Sequence, residues 1–200
     1  WSGGHAWKDE ELVTALTKWV YQGGVFLGVN EPSAVQGYDN YFRMAHVLGV
    51  DEDTGARVCH GRWIFEPSDS EHILPRGAGV LPKENRYLTD GQARVLLAQD
   101  DKPLVTVHDF GKGKGIYLAS FQVSPENTRM LYQLIRYAGG EGVSGLYMTD
   151  NLYTECAYYP ESRKLVVINN SEEEQTTTIP THVGDKTVTI GAYDTIFMEL

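Results

Sequence analysis

Apolar residues recur with two different periods along this chain of 200 residues. In DEELVTALTKWVYQGG they return every three or four positions, which predicts an amphipathic helix that ends at Gly23 and Gly24. VFLGV follows directly as a continuous apolar run, the pattern of a strand buried on both faces of a parallel sheet. A helix that leads into a buried strand indicates an α/β unit.

Polar residues, proline and glycine mark the ends of further predicted helices and strands. SPENTRMLYQLIRYAGG predicts a helix with Ser124 as its cap and Pro125 in its first turn, ended by two glycines. YDNYFRMAHVLGV predicts a short helix that stops at Gly49. ARVLLAQ and PLVTVHDFGKGKGIYLASF predict strands, the second folded into a hairpin at GKGKG, and EHILPRGAGVLPKENRYLTDG indicates irregular surface.

The pattern changes after residue 145, where no helical period remains. AYYPESRKLVVINNSEEEQTTTIP and KTVTIGAYDTIFMEL predict short strands separated by turns, and glycines 139, 140, 142 and 145 mark the border. We therefore expect an α/β domain over residues 1–142 and a C-terminal β-sandwich-like domain over residues 143–200.

A parallel sheet also requires a strand before the first helix. WSGGHAW is typical of the loop that follows such a strand, yet no strand pattern precedes it in this sequence. We therefore expect the α/β domain to be incomplete and the chain to be a fragment.

Charge and cysteine content narrow the class of protein. The formal net charge of -10 and the scattered lysines and arginines argue against a nucleic-acid partner, and no apolar run is long enough to span a membrane. Cys59 and Cys156 lie far apart and suggest neither a disulfide framework nor a zinc site. A cytoplasmic location fits this composition.

The turn GVNEP after the first predicted strand is the place where many α/β enzymes carry a nucleophile. No cysteine or serine stands at its tip, and Pro32 after Glu31 favours a purely structural turn. His5, His46 and His108 are possible general bases without an evident partner, Asp51–Asp53 is typical of solvated surface, and we expect no metal site.

A mixed patch follows this strand and is the main candidate site. Because open α/β sheets bind ligands beyond the carboxyl ends of their strands, we expect the patch to dock onto another domain, with direct substrate contact as the alternative. Its members are Glu31, Ser33, Tyr38, Tyr41, Phe42 and Arg43.

Longer blocks of sequence resemble a known family. NEPSAVQGYDNYFRMAHVLGVDEDTGARVCHGRW, with WSGG before it and ECAYYPESRKLVVINNSEEEQTTTIP after it, is similar to the lacto-N-biose phosphorylases, also called 1,3-β-galactosyl-N-acetylhexosamine phosphorylases. The similarity runs over essentially the whole chain.

The resemblance implies a fold and a function. It implies a full-length enzyme with a (β/α)8 barrel, an amidotransferase-like central domain and a C-terminal β domain, of which this chain resembles the last two. The fold class would be α/β, an incomplete class I glutamine-amidotransferase-like (flavodoxin-like) domain followed by a small all-β domain.

The implied reaction is inverting phosphorolysis of a β-galactoside to α-galactose 1-phosphate and a free hexosamine, or rhamnose in related members. Inorganic phosphate is the co-substrate and no cofactor is implied. The general acid belongs to the barrel, so we expect this chain alone to be inactive, to contact the barrel and to support a homodimer. The alternative is a self-sufficient hydrolase or amidotransferase that uses Glu31 or a histidine.

Overall fold

A computed structural model describes residues 7, 9–34, 42–53, 65–67, 74, 77–140 and 146–200. The chain divides into two compact units, Trp1–Gly140 and Glu141–Leu200. Each unit has its own hydrophobic cluster of buried side chains.

The first unit begins with the predicted helix and strand. Helix α1 spans Glu10–Tyr21, and the side chain of Asp9 caps it by accepting hydrogen bonds from the backbone N–H groups of residues 11 and 12. Strand β1 spans Val25–Val29 and pairs in parallel with a later strand. Four of its five residues are only half-buried, however, and not enclosed on both faces as the sequence predicts.

A short segment after the first strand adds a helix and a small sheet. Helix α2 covers Ala45–Leu48 and ends at Gly49, whose φ of 70° places it in the left-handed region that favours glycine. Strand β2 (Val50–Glu52) pairs antiparallel with strand β3 (Arg86–Leu88). The prediction of irregular surface is therefore wrong for β3, because Arg86 and Leu88 alternate into the interior on a strand too short to show a period.

The central sheet has four strands in the order β1-β6-β5-β4. Among its described strands, β4 (Arg94–Gln99) and β6 (Gly113–Leu118) both pair antiparallel with β5 (Lys102–Phe110), and β6 pairs in parallel with β1. The predicted hairpin is confirmed, with its turn at Gly111 and Lys112, but the sheet is mixed where the sequence indicates a parallel one.

Helix α3 spans Pro125–Ala138 and confirms the predicted caps. The Ser124 hydroxyl accepts a hydrogen bond from the backbone N–H of Asn127 at 3.1 Å, and the helix ends at Gly139. The buried Asn127 amide also exchanges hydrogen bonds with the backbone of Gly79 at 2.9 and 3.0 Å. This amide fixes the segment at residues 77–80 to the start of the helix.

The core of the first unit lies between the central sheet and the helices. Its large, fully buried side chains come from the three helices, from the turn before α2 and from strand β6. They include Val20, Phe42, Met44, Leu48, Ile116, Tyr117, Leu118, Met130 and Leu134.

In the described part of the second unit there are five strands: β7 (Thr154–Tyr159), β8 (Lys164–Asn169), β9 (Gln175–Ile179), β10 (Lys186–Ile190) and β11 (Thr195–Glu199). They form a three-stranded sheet in the order β11-β8-β7 and a two-stranded sheet of β10 and β9, all antiparallel. Both sheets contribute to one small core of Leu165, Val167, Ile179 and Ile190. The predicted strand runs are confirmed.

A single buried amide connects the turns of the second unit. The Asn169 side-chain N–H₂ donates to the carbonyl oxygens of Glu173, Ile190 and Gly191 at 2.7 to 3.2 Å, and its oxygen accepts from the N–H of Ser171 at 2.9 Å. Asn169 is fully buried and so satisfies backbone groups that would otherwise lack partners. In the parts of the chain that the structure covers, no helix is long and apolar enough to cross a membrane.

Candidate functional site at the end of strand β1

The turn after β1 holds two residues in unusual backbone conformations. Asn30 and Ser33 have φ values of 64° and 58°, in the left-handed region that non-glycine residues seldom occupy. The strand stays in register with β6 up to this point, since the Asn30 N–H donates to the Leu118 carbonyl at 2.9 Å. Such backbone strain at the carboxyl end of a parallel strand is characteristic of functional positions.

The turn folds back tightly over its own strand. Pro32 is buried, and a Cβ on Gly28 would lie 2.5 Å from the Pro32 Cβ. Only glycine therefore fits at residue 28 below the proline ring. The sequence GVNEP therefore forms a tight turn in which Glu31 is exposed.

Ser33, a candidate docking residue, holds the turn together from the inside. It has no exposed surface, and its hydroxyl accepts a hydrogen bond from the Met44 N–H at 2.9 Å. The Ser33 carbonyl accepts another from the Arg43 N–H at 3.0 Å. The only hydroxyl at this turn is therefore already engaged with backbone and faces the interior.

A buried carboxylate secures the returning chain. Asp51 is 2% exposed, and its Oδ1 accepts hydrogen bonds from the N–H groups of Phe42 and Glu52 at 2.9 and 2.8 Å. The expectation that Asp51–Asp53 forms solvated surface is therefore wrong for Asp51. By accepting these backbone N–H groups, the Asp51 carboxylate stabilises a reversal of the chain that has too few β-sheet hydrogen bonds of its own.

Arg86 forms the centre of the site. Its side chain is 3% exposed, and its Nη1 makes an ion pair of 2.6 Å with Oε2 of Glu52. Its Nε donates to the Tyr117 hydroxyl at 2.8 Å and its Nη2 to the Asn30 carbonyl at 3.4 Å. The guanidinium also lies 5.1 Å from the centre of the Phe42 ring. One buried cation thus connects the strained turn, β2 and the end of β6.

Two titrating groups respond to this environment. Burial raises the pKa of the Glu52 carboxyl above its ordinary value, although the Arg86 guanidinium opposes the rise. Burial likewise raises the pKa of Tyr117 to about 12, with Arg86 again opposing. Glu31 lies close enough for its charge to raise the pKa of both groups further.

The remaining predicted site residues differ in what the structure shows. Arg43 makes an ion pair with Glu10 in the first turn of α1, and its side chain stays 30% exposed. Phe42 is fully buried and belongs to the core. Tyr38 and Tyr41 lie outside the described residues, as do Cys59, His60 and His5. Of the original patch, Glu31 and Arg43 are the described residues that reach the surface.

Sequence reasoning missed Arg86, Glu52 and Tyr117. Arg86 and Glu52 stand in charged, turn-like stretches, and Tyr117 resembles any aromatic residue of a strand. No sequence signal was available for Arg86, because β3 is too short for alternation to show that its basic residue faces inward.

One histidine has a carboxylate partner that its spacing in sequence did not reveal. His108 is buried, with its Nδ1 2.9 Å from the Val47 carbonyl oxygen and its Nε2 3.2 Å from Oδ2 of Asp90. His46 contacts the hydroxyl of Thr17 at 3.2 Å, and burial, with His108 nearby, lowers the pKa of its imidazole. Among the described contacts, neither ring forms a hydrogen bond with the turn at Asn30.

A small pocket of about 60 Å³ opens beside β1. It is lined by Trp7, Phe26–Val29 and Glu31–Ser33. Since ligand pockets for drug-sized molecules occupy roughly 300–1,000 Å³, this space is too small to enclose a disaccharide. Among the described residues, no group of three histidine, cysteine or acidic side chains is arranged to hold a metal.

Comparison with protein families gives two matches that together cover most of the chain. Residues 1–142 match the family model described as the lacto-N-biose phosphorylase central domain. Residues 147–198 match the model for the C-terminal domain of the same enzymes.

Relatives that are named as phosphorylases include two from Lachnoclostridium phytofermentans. A D-galactosyl-β-1→4-L-rhamnose phosphorylase is 47% identical over 200 residues, which cover all of this chain and 28% of the relative. A 1,3-β-galactosyl-N-acetylhexosamine phosphorylase is 35% identical over 84% of this chain and 24% of the relative. A protein of the latter name from Bifidobacterium longum subsp. longum is 26% identical over 89% of this chain and 29% of the relative. The chain therefore spans less than a third of each relative.

Solved structures share the fold at low identity. The β-galactosidase of Rahnella sp. R3 matches with a TM-score of 0.51 at 16% identity, over 94% of this chain and 30% of that one. A catalytic mutant of a GH42 β-galactosidase from G. stearothermophilus gives 0.51 at 14% identity with the same coverage. At these identities the likeness concerns the fold alone.

Proposed function

The chain belongs to the lacto-N-biose phosphorylase family, and from that premise we propose that it forms the non-catalytic central and C-terminal domains of a galactoside phosphorylase. The complete protein would cleave a β-galactoside with inorganic phosphate and release α-galactose 1-phosphate. The names of the relatives support this activity, and the general acid would lie in a barrel domain outside these residues. No further cofactor is proposed.

The observation that carries the non-catalytic role is the turn at residues 30–33. Its tip presents Glu31, while the hydroxyl of Ser33 points inward and accepts a hydrogen bond from the Met44 N–H. Covalent catalysis from such a turn needs an exposed nucleophile next to a base. The described turn has no exposed hydroxyl or thiol, which supports a reused fold whose chemistry lies elsewhere in the protein.

We also propose that the exposed part of the patch docks onto the barrel of the same polypeptide. Glu31 is held in place by a turn that Arg86 ties to β2 and β6. A turn whose backbone is fixed in this way loses little backbone freedom on binding. Amidotransferase-like ancestry, a cytoplasmic location and a homodimer belong to the same proposal.

L-rhamnose is the acceptor that the similarity favours. Identity is 47% to the rhamnose phosphorylase and 35% to the hexosamine phosphorylase of the same organism. The test is to incubate the full-length protein and phosphate with β-1,4-galactosyl-rhamnose and, separately, with β-1,3-galactosyl-N-acetylhexosamine. We expect galactose 1-phosphate mainly from the first disaccharide; release mainly from the second would reverse the acceptor assignment, and release from neither would overturn the activity.

Docking by Glu31 is tested in the full-length protein with Glu31→Ala. We expect kcat/KM to fall by about tenfold or more, as for an interface residue worth 1.4 kcal/mol or more, while the unfolding midpoint stays unchanged because Glu31 is exposed. Glu172→Ala, which removes an exposed carboxylate from a turn of the second unit, is the matched control. Equal kinetics for both variants would contradict docking through Glu31.

A further inference from the structure

The two sheets of the second unit differ in what their outer faces carry. On the sheet of β9 and β10, the side chains that point away from the core are threonines. Their hydroxyls pair across the strands, Thr176 with Thr189 at 2.9 Å and Thr178 with Thr187 at 3.0 Å. Polar residues on the outer face are the usual pattern of an antiparallel sheet in contact with water.

The outer face of the three-stranded sheet is apolar instead. Leu165, Val167 and Asn169 of the central strand β8 are buried, so alternation along the strand turns Val166 and Ile168 to the outer face. Strands β7 and β11 pair with β8 without register shifts, which places their outward residues in the same rows.

This pairing assembles five apolar residues into one surface, which we call the outer patch. Its middle row consists of Ala157, Val166 and Phe197, with Ile168 in one neighbouring row and Tyr159 in the other. Phe197 is 70% exposed, Tyr159 55% and Ile168 37%. Exposed apolar side chains that adjoin one another in this way mark an interaction surface, whereas single ones do not.

The size of the outer patch argues against a second copy of the protein as its partner. Three strands of about five residues, with strands about 4.8 Å apart and residues about 3.4 Å apart, span roughly 250 Å². A stable complex of separate proteins buries about 800 Å² on each partner and also loses translational and rotational freedom. The formal net charge of -10 on each chain opposes self-association further.

We propose that the outer patch packs against an apolar surface of another domain of the same polypeptide, outside residues 1–200. A contact within one polypeptide avoids most of the cost of association, because the connecting chain keeps both surfaces at a high effective concentration. A patch of this size is therefore sufficient. The chain spans 28% of the rhamnose phosphorylase that it matches, and a polypeptide of that length has room for such a domain. The proposal concerns packing and does not depend on the proposed reaction.

Covalent labelling of tyrosines in the full-length protein tests the proposal without any substitution. Tyr159 of the outer patch is 55% exposed, and its controls Tyr153 and Tyr193, in turns of the same unit, are 52% and 71% exposed. N-acetylimidazole, which acetylates accessible phenol groups, is the probe, and mass spectrometry measures the rate at each tyrosine. We expect Tyr159 to react at least about tenfold more slowly than both controls at every protein concentration, since a covered ring reacts only when the contact opens.

Two results of the labelling would overturn the proposal. Equal rates for the three tyrosines would show that the outer patch faces solvent. Slow labelling of Tyr159 that becomes fast on dilution would show that a second copy of the protein covers the patch.

A substitution in the full-length protein gives an independent measurement. Phe197→Thr replaces the most exposed ring of the outer patch with the residue that the other sheet carries on its outer face. Val183→Thr, at a side chain 51% exposed in a turn outside the patch, is the control. We expect Phe197→Thr to lower the unfolding midpoint and Val183→Thr to leave it unchanged, because only a covered side chain loses packing.

Equal midpoints for the two variants would contradict the proposal. Loss of phosphorolysis in a protein whose Tyr159 is protected would contradict only the proposed function.

Discussion

Both units bury a neutral amide, Asn127 in the first and Asn169 in the second, but among the described residues the first unit also buries charge. The first unit encloses the ion pair of Arg86 and Glu52 together with the hydroxyl of Tyr117. The second encloses the neutral amide of Asn169, which donates to three carbonyl groups in two turns. Burial of charge carries a far larger desolvation cost than burial of an amide.

This difference reflects which part of each unit the buried polar group stabilises. In the second unit, Asn169 satisfies turns within a small apolar core, and a neutral side chain is enough. In the first, Arg86 contacts the carbonyl of Asn30, a strained residue that positions Glu31. Charge is buried where an exposed turn has to keep one conformation.

The largest expected effect is that of Arg86→Met. Removing one partner of a buried ion pair leaves Glu52 uncompensated, and we expect a loss of about 3–5 kcal/mol in the free energy of unfolding of the first unit. Denaturant unfolding of the variant measures this. Arg94→Met, which removes an exposed arginine that contacts Tyr137, is the matched control and should cost less than about 1 kcal/mol.

A double variant separates the effect of the unpaired charge on stability from the effect of lost packing. In the double variant Arg86→Met/Glu52→Gln the uncompensated carboxylate is gone, so stability should partly recover relative to Arg86→Met. Equal losses for Arg86→Met and Arg94→Met would show that the buried ion pair does not support the unit.

A smaller effect is expected from Asn169→Ala in the second unit. The substitution leaves buried carbonyl groups without donors, at a cost of about 1–3 kcal/mol. Urea unfolding in low and high salt measures it, and the loss should not depend on salt because no charge is involved. A salt-dependent loss, or one larger than that of Arg86→Met, would reverse the contrast between the two units.

The smallest effect concerns pH. Burial raises the pKa of Glu52 above its ordinary value of 4.5, so between these two values the folded state holds a proton that the unfolded state releases. Stability contributed by Glu52 is therefore present below pH 4.5 and is lost as the pH rises through the folded pKa. Relative to Glu52→Gln, the natural protein should lose stability over this window in thermal melts; parallel pH profiles would contradict the assignment.

Local patterns predicted the elements of this fold well. Helix α3 begins at its predicted cap Ser124 and ends at Gly139, because both residues act on backbone groups only a few positions away. Helix α1 begins among the predicted acidic residues and ends at Tyr21, two residues before the predicted stop at Gly23. The hairpin at Gly111 likewise follows from adjacent residues. Such signals are complete within a short window of sequence.

The candidate site was predicted only in part, because its contacts are distant in sequence. The turn and the exposure of Glu31 follow from GVNEP, but Arg86 reaches the Asn30 carbonyl across 56 positions. Its role depends on pairing between β2 and β3, each of only three residues. No periodic pattern can be recognised over so few positions, so the charged residues of both strands were predicted to lie on the surface.

We infer that these two domains carry no catalytic centre of their own. The most direct measurement uses the separately expressed chain, first shown to unfold cooperatively. It is assayed for ammonia from glutamine and, with phosphate, for galactose 1-phosphate from each galactosyl disaccharide, beside the full-length protein. We expect neither product from the chain and galactose 1-phosphate from the full-length protein; release of either product by the folded chain would show that it has a catalytic centre of its own.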